Sequence, residues 1–156
     1  MRIYVAASFC YEDRAKTAER KALIEKIVSR ISAYLPGEYY LPHQLTIPNA
    51  WDISLEEWAK AVYDRDMQAL NKADMVIFIS FGKENNAGAV WEIGYVTGQN
   101  SMRSYRQTRI ICVKMTDEPE SLMVANSIDT IIKASEIEAY DWVHMPKYKT
   151  KMEKLS

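Results

Sequence analysis

Two uninterrupted apolar runs constrain this chain most: Asp74 to Ser80 (DMVIFIS) and Arg109 to Lys114 (RIICVK). A strand with one wet face alternates apolar and polar residues; these two do not alternate, so each must be covered on both faces. Helices laid over both sides of a parallel sheet provide that cover.

The rest of the sequence supplies the helices. Arg2 to Ser8 (RIYVAAS) reads as a buried first strand. Glu12 to Tyr34 follows as a helix, with Ile24, Ile27, Val28, Ile31 and Leu35 at helical spacing and Pro36-Gly37 as its stop. Glu38 to Leu41 (EYYL) is a second short strand. Pro42 to Ile53 carries two prolines and an asparagine without a period and reads as a long loop, a class often given to function. Ser54 to Asn71 is the next helix, with Ser54 as N-cap and Glu57 completing a capping box. After Asp74 to Ser80, the polar loop Phe81 to Ala87 leads into a helix over Gly88 to Gln99, apolar almost all round and therefore expected to be buried. Glu118 to Asn126 is a short helix, and Thr130 to Lys133 a last strand. Alternation of this kind predicts one α/β domain with a parallel sheet of about five strands. Ligands bind such sheets beyond the carboxyl ends of the strands, here Ser8 to Tyr11, the loop after Leu41 and Phe81 to Ala87.

Composition narrows the function classes. With 156 residues, 48 % hydrophobic and 26 % charged, the chain fits one ordinary globular domain. A formal net charge of -1 gives no reason to expect a nucleic-acid or membrane partner. The basic cluster Lys147, Lys149, Lys151 and Lys154 reads as a solvated tail. Cys10 and Cys112 form no metal-binding pair and read as small buried apolar side chains, and His43 and His144 are isolated, so neither a metal nor another cofactor is expected. No segment reads as a leader or a membrane span, so a soluble, cytoplasmic protein is the expectation. Phosphate-loop, dinucleotide and serine-hydrolase motifs are missing.

The informative residues are charges where the pattern calls for apolar side chains. The stripe Leu55, Ala59, Val62, Asp66, Leu70 places Asp66 on the inward face of its helix. It is either a structural carboxylate bonded to backbone or an arginine, or a working group. Glu92 stands in the run Asn86-Ala87-Gly88-Ala89-Val90-Trp91-Glu92-Ile93-Gly94-Tyr95, with no ionic partner three or four positions away. It is either a bridge to a neighbouring subunit or a group with a tuned pKa. Gly88 and Gly94 each cost roughly 1 kcal/mol of helix propensity, which suggests that a ligand or a packed strand approaches closely. Tyr4, among apolar neighbours, is either core or an orienter of another group. Trp51, Trp58 and Trp91 read first as core, with stacking on a base as the other use. Two inward carboxylates at one crevice suit chemistry at an anomeric carbon, where one attacks and negative charge stabilises an oxocarbenium-like transition state.

These residues, in this order, resemble the nucleoside 2-deoxyribosyltransferase family along nearly the whole chain. IYVAASF is similar to the family's first strand, with Tyr4 at the tyrosine that contacts the nucleophile. Trp58 to Asp66 resembles the helix that ends in the catalytic-site aspartate, Asp66. Ala73-Asp74 followed by VIFIS resembles the third strand. Trp91-Glu92-Ile93-Gly94-Tyr95 matches the nucleophile signature, and Ser121-Leu122-Met123 a segment that reaches a neighbouring subunit's site. The resemblance implies a Rossmann/flavodoxin-like domain over residues 1–144 with a tail over 145–156. It also implies a homo-oligomer with shared sites and a double displacement on 2'-deoxynucleosides: Glu92 takes the sugar, and another base receives it. Glu92, Asp66 and Tyr4 are the catalytic candidates, and Ser8, Gln44, Asn86, Gly88, Trp91 and Ser121 the substrate-binding ones.

Two departures point towards a related branch. Asn86 stands where the transferases commonly carry a base-protonating aspartate, and an amide is no general acid. Ser121 replaces an intersubunit asparagine. Both are similar to the nucleoside 5'-monophosphate N-hydrolases, in which water is the acceptor and a serine at this segment helps to hold phosphate, a group Ser8 is also placed to meet. Against that branch, Cys10 and Tyr11 occupy the place of its first-loop arginine. A non-catalytic nucleotide-binding protein is the third reading; a retained Glu92, Asp66 and Tyr4 argue against it.

Overall fold

The computed structural model describes residues 1–84, 86–105 and 107–147. Five strands, β1 (Arg2–Ala7), β2 (Glu38–Tyr40), β3 (Met75–Ser80), β4 (Arg109–Lys114) and β5 (Thr130–Lys133), form one sheet in the order β2-β1-β3-β4-β5. Every pairing is parallel. Four helices make the crossovers: α1 (Arg14–Ser32), α2 (Leu55–Lys72), α3 (Ala87–Met102) and α4 (Leu122–Ser127). The expected α/β fold is therefore the observed one.

Alternation along the strands sorts the core into two layers. On one face Ile3, Val5, Ile77, Ile79, Ile111, Val113 and Ile132 pack under Ile24, Ile27, Val28 and Ile31 of α1, closed by Ile137 and Trp142. On the other, Tyr4, Ala6, Val76, Phe78, Ile110, Cys112 and Ile131 meet Leu70 of α2, Ile93 and Val96 of α3, and Val124 of α4. The chain winds from β1 to β2 on one side and then returns to β3 on the other. The crevice above β1 and β3 is thus the topological switch point where such folds bind ligands.

Helix ends follow their caps. Asp13 accepts from the amides of Ala15 and Lys16, so α1 starts at Arg14, two residues later than expected. Ser54 and Glu57 form the expected capping box of α2. Ser121 caps α4, which leaves Glu118 to Glu120 outside the helix. The long loop after β2 is not wholly irregular: Pro42–Gln44 forms a 3-10 turn. It is tied to α1, with Glu25 accepting from Gln44 and paired with His43 Nε2 at 2.9 Å.

Several burial expectations are corrected. Helix α3 buries only Ala89, Ile93 and Val96; Trp91 is half exposed, and a Cβ on Gly88, Gly94 or Gly98 would meet nothing within 4 Å. No described residue of this chain approaches those glycines. The inward stripe of α2 holds only at its C-terminal end, since Leu55 and Ala59 are exposed where the helix runs past the sheet. Trp51, Trp58 and Trp91 are all exposed rather than core. Cys10 is exposed too, because it lies beyond the end of β1, whereas Cys112 is buried in β4 as expected. At the C-terminus Pro146 still accepts a hydrogen bond from the Tyr140 hydroxyl, and Lys149, Lys151 and Lys154 lie outside the described residues. Among the described residues no helix is long and apolar enough to cross a membrane.

Candidate active site

The site is built on the second layer of the core. Tyr4 points from the middle of β1 and donates its hydroxyl to Glu92 Oε1 at 2.7 Å. Glu92 sits one helical turn after Gly88 on α3, which begins directly beyond β3. Asp66 reaches the same region from α2 and accepts from the Tyr40 hydroxyl at 2.8 Å. Sequence thus brings four groups from two strands and two helices to one place.

Their electrostatics are coupled. Burial pushes the Glu92 carboxyl up to about 7; the Tyr4 hydroxyl opposes that rise, and the Asp66 charge adds to it. Burial likewise raises Asp66, while the Tyr40 hydrogen bond pulls it back. Tyr4 is raised far above the ordinary phenol range, first by burial and then by the Glu92 charge. It therefore remains a hydrogen-bond donor throughout the working pH range. A carboxyl near neutrality in a cleft, held by one fixed donor, is the state expected of a working acid, base or nucleophile.

Two cavities of about 220 Å³ each meet at this cluster. One is lined by Tyr4, Tyr63, Asp66, Met67, Trp91 and Glu92. The other lies over the end of β1, between Ser8, Phe9, Cys10 and Pro42, and shares Gly88 and Glu92 with the first. Together they approach the size of an ordinary small-molecule site. Among the described residues no group of acidic, histidine or cysteine side chains could hold a metal ion.

Not every candidate converges. Glu92, Asp66, Tyr4, Ser8, Gly88 and Trp91 line the cavities. Gln44 and Asn86 line neither; Gln44 turns to Glu25. Asn86 stands at the start of α3 without a capping hydrogen bond from its side chain. Ser121 also lines neither, and its hydroxyl accepts from the Val124 amide at 3.4 Å. The segment before Ser121 is held firmly: buried Glu120 accepts from the Ser80 hydroxyl, and Lys83 N donates to Glu118 at 3.1 Å. Gly82 makes this possible, since its φ of 91° suits glycine and Glu118 fills the space of a Cβ.

Sequence reading missed Tyr40. A strand of three residues shows no usable alternation, so nothing indicated which of Tyr39 and Tyr40 faces the carboxylates. Tyr63 and Met67 were missed for a related reason: they flank the stripe rather than lie on it.

The sheet order and the paired carboxylates define an α/β protein with two carboxylates beside cavities at its switch point. Residues 3–125 match the sequence profile of the nucleoside 2-deoxyribosyltransferase family, and the chain belongs to that family of enzymes. A nucleoside deoxyribosyltransferase of Lactobacillus johnsonii is 28 % identical over 93 residues, which cover 60 % of this chain and 59 % of that relative's length. A solved 2-deoxyribosyltransferase from Bacillus psychrosaccharolyticus superposes with a TM-score of 0.74 at 19 % identity, covering 96 % of this chain and 98 % of the other. A conserved protein from Enterococcus faecalis V583 gives a TM-score of 0.50 at 12 % identity, covering 97 % and 92 %. These two structures speak for the fold.

Proposed function

We propose that the chain is an N-glycosyl enzyme of the deoxyribosyltransferase type, with Glu92 as the nucleophile. The observation that carries this reading is the buried Glu92 carboxyl, held by Tyr4 at 2.7 Å where two cavities meet. The ionised carboxylate attacks C1' of a 2'-deoxyribosyl unit, and the C1'–N bond breaks as the C1'–O bond forms. The leaving base carries off the bonding electron pair and takes a proton from solvent. A second base then attacks C1' through a ring nitrogen as the C1'–O bond to Glu92 breaks, gives up its N–H proton to solvent, and so regenerates free Glu92 and completes the transfer. Asp66 adds negative charge beside the developing oxocarbenium and is placed to hold a sugar hydroxyl. Trp91 and Tyr63, exposed at the rim, offer aromatic faces to the base.

Asn86 favours a second reading, with a 5'-monophosphate as substrate and water as acceptor. An amide there binds a base but supplies no proton. Ser121 fits the same reading: its oxygen accepts from Val124, yet its own proton is left to donate to a phosphate. For Ser121 to act, another subunit must bring it to a site. Leu122 and Met123 beside it are exposed, as are Trp91 and Met102 on α3, so a symmetric subunit contact across α3 and α4 would cover them.

The test is to incubate the protein with deoxynucleosides and deoxynucleoside 5'-monophosphates, with and without a free base. Exchanged nucleoside identifies the transferase, and sugar phosphate with free base identifies the hydrolase. No cleavage of either class would sink both. Sedimentation at working concentration tests the shared site: a fully active monomer overturns it.

A further inference from the structure

Tyr40 mirrors Tyr4. The two are register partners on neighbouring parallel strands, so both side chains leave the sheet on the same face. Their rings stack with centroids 5.5 Å apart and planes inclined by 17°. Each phenol donates to a carboxylate on a different helix, Tyr4 to Glu92 on α3 and Tyr40 to Asp66 on α2. The arrangement is a pair of phenol–carboxylate couples set side by side, which ties two helices to one pair of strands. Asp66 needs such a tie. It is half-buried, and its chain neighbours Asp64 and Arg65 are exposed. Among the described residues Tyr40 is its side-chain hydrogen-bond donor.

We infer that Tyr40 is a positioning residue of the sugar chemistry: its hydroxyl holds the Asp66 carboxylate towards the cavity that Asp66 shares with Glu92. The inference rests on the N-glycosyl reading of the site. A carboxylate without its donor rotates about its side-chain torsions, and misplacement of a catalytic group by about 1 Å can cost on the order of 100-fold in rate. The same hydroxyl favours the ionised form of Asp66, against the burial that disfavours it. Tyr40 itself is raised above the ordinary phenol range, by burial first and then by its bond to Asp66, so it stays protonated and keeps donating.

Tyr40→Phe removes the donor and keeps the ring that stacks on Tyr4. Its kcat should fall about 10- to 100-fold with KM changed less than about threefold, and the acid limb of the pH–rate profile, which the coupled Glu92 and Asp66 carboxyls set together, should move. Tyr39→Phe is the control: its hydroxyl binds the Leu35 carbonyl on the opposite face of the sheet, and its loss should leave kcat and the profile unchanged. In an Asp66→Asn background, Tyr40→Phe should lower kcat by less than about twofold more, because its target is gone. A carbon-13 NMR titration of the ligand-free protein, with labelled aspartate carboxyls and Asp66→Asn for assignment, reads Asp66 without any substrate. Its titration should move to higher pH in Tyr40→Phe. An unmoved Asp66 titration, a wild-type pH profile in Tyr40→Phe, or losses fully additive with Asp66→Asn would each overturn the inference. If the wild-type protein cleaves no nucleoside or nucleotide, the proposed chemistry fails, and the NMR titration still decides whether Tyr40 holds Asp66.

Discussion

The two faces of one sheet have been given different tasks. Under α1, β1 contributes Ile3 and Val5 and β2 contributes Tyr39, whose hydroxyl goes to a backbone carbonyl. Under α2 and α3, the alternate residues Tyr4 and Tyr40 go to carboxylates. Neighbouring residues in the chain thus send their hydroxyls either to backbone or to carboxylates, according to the pleat. The first face is closed by apolar side chains. The second carries one buried and one half-buried phenol and a carboxyl whose pKa lies near neutrality, an arrangement that costs stability where it is not compensated. Substitutions on the first face should change stability and spare turnover; substitutions of the carboxylates on the second should do the reverse.

The largest effect should come from Glu92→Gln, which keeps the shape and removes the nucleophile. Turnover should drop by at least about 1,000-fold with the fold retained. Turnover within tenfold of wild type would take Glu92 out of the mechanism. Asp66→Asn should come next, with a loss of about 100-fold and a melting temperature close to wild type. If stability collapses while the folded fraction turns over normally, Asp66 is a structural group.

Ile77→Ala tests the other face. Ile77 is fully buried under α1, and its truncation should lower unfolding free energy by about 2–5 kcal/mol. Turnover per folded molecule should stay within about twofold, as judged by activity normalised to circular dichroism. A large drop in normalised turnover would mean that the two faces are not independent.

A smaller effect should appear in the pH dependence of stability. Glu92 has a folded pKa of about 7, above the usual carboxylate range. Between those values the folded state holds a proton that the unfolded state has lost, so stability falls as pH rises from about 4.5 to 7. The total is roughly 3 kcal/mol at most. Glu92→Gln lacks this group, so its stability advantage over wild type should grow from pH 5 to pH 8 in thermal melts. A constant difference would show that Glu92 is not buried as described. The smallest change is expected for Ser121→Ala, which should weaken 5'-monophosphate binding about tenfold or less and leave unphosphorylated nucleosides unaffected. Equal loss for both would place Ser121 on the sugar or base.

The fold was legible in the sequence because its strongest signals are local. DMVIFIS and RIICVK can only be central strands, and Ser54 with Glu57 marks a helix start wherever it occurs. Glu92 and Asp66 were legible as charges that break an apolar pattern. What could not be read depends on distance in space. Tyr40 needed the register of β2 against β1, which three residues do not encode. The outward face of α3 looked like core because apolar periodicity says that a surface is covered, not by what. Leu55 and Trp58 misled in the same way, since nothing in their spacing tells where α2 outruns the sheet.

The carboxylate couples also bear on how the protein acquires activity as it folds. Tyr4 and Glu92 lie 88 positions apart, and Tyr40 and Asp66 lie 26 apart. The Tyr4–Glu92 couple joins β1 to the helix that follows β3, so it closes only once those distant segments have come together, and parallel pairing of distant segments is slow because chain entropy is lost before contacts form. In refolding, helical signal should therefore return first, and catalytic competence only with the last long-range closure.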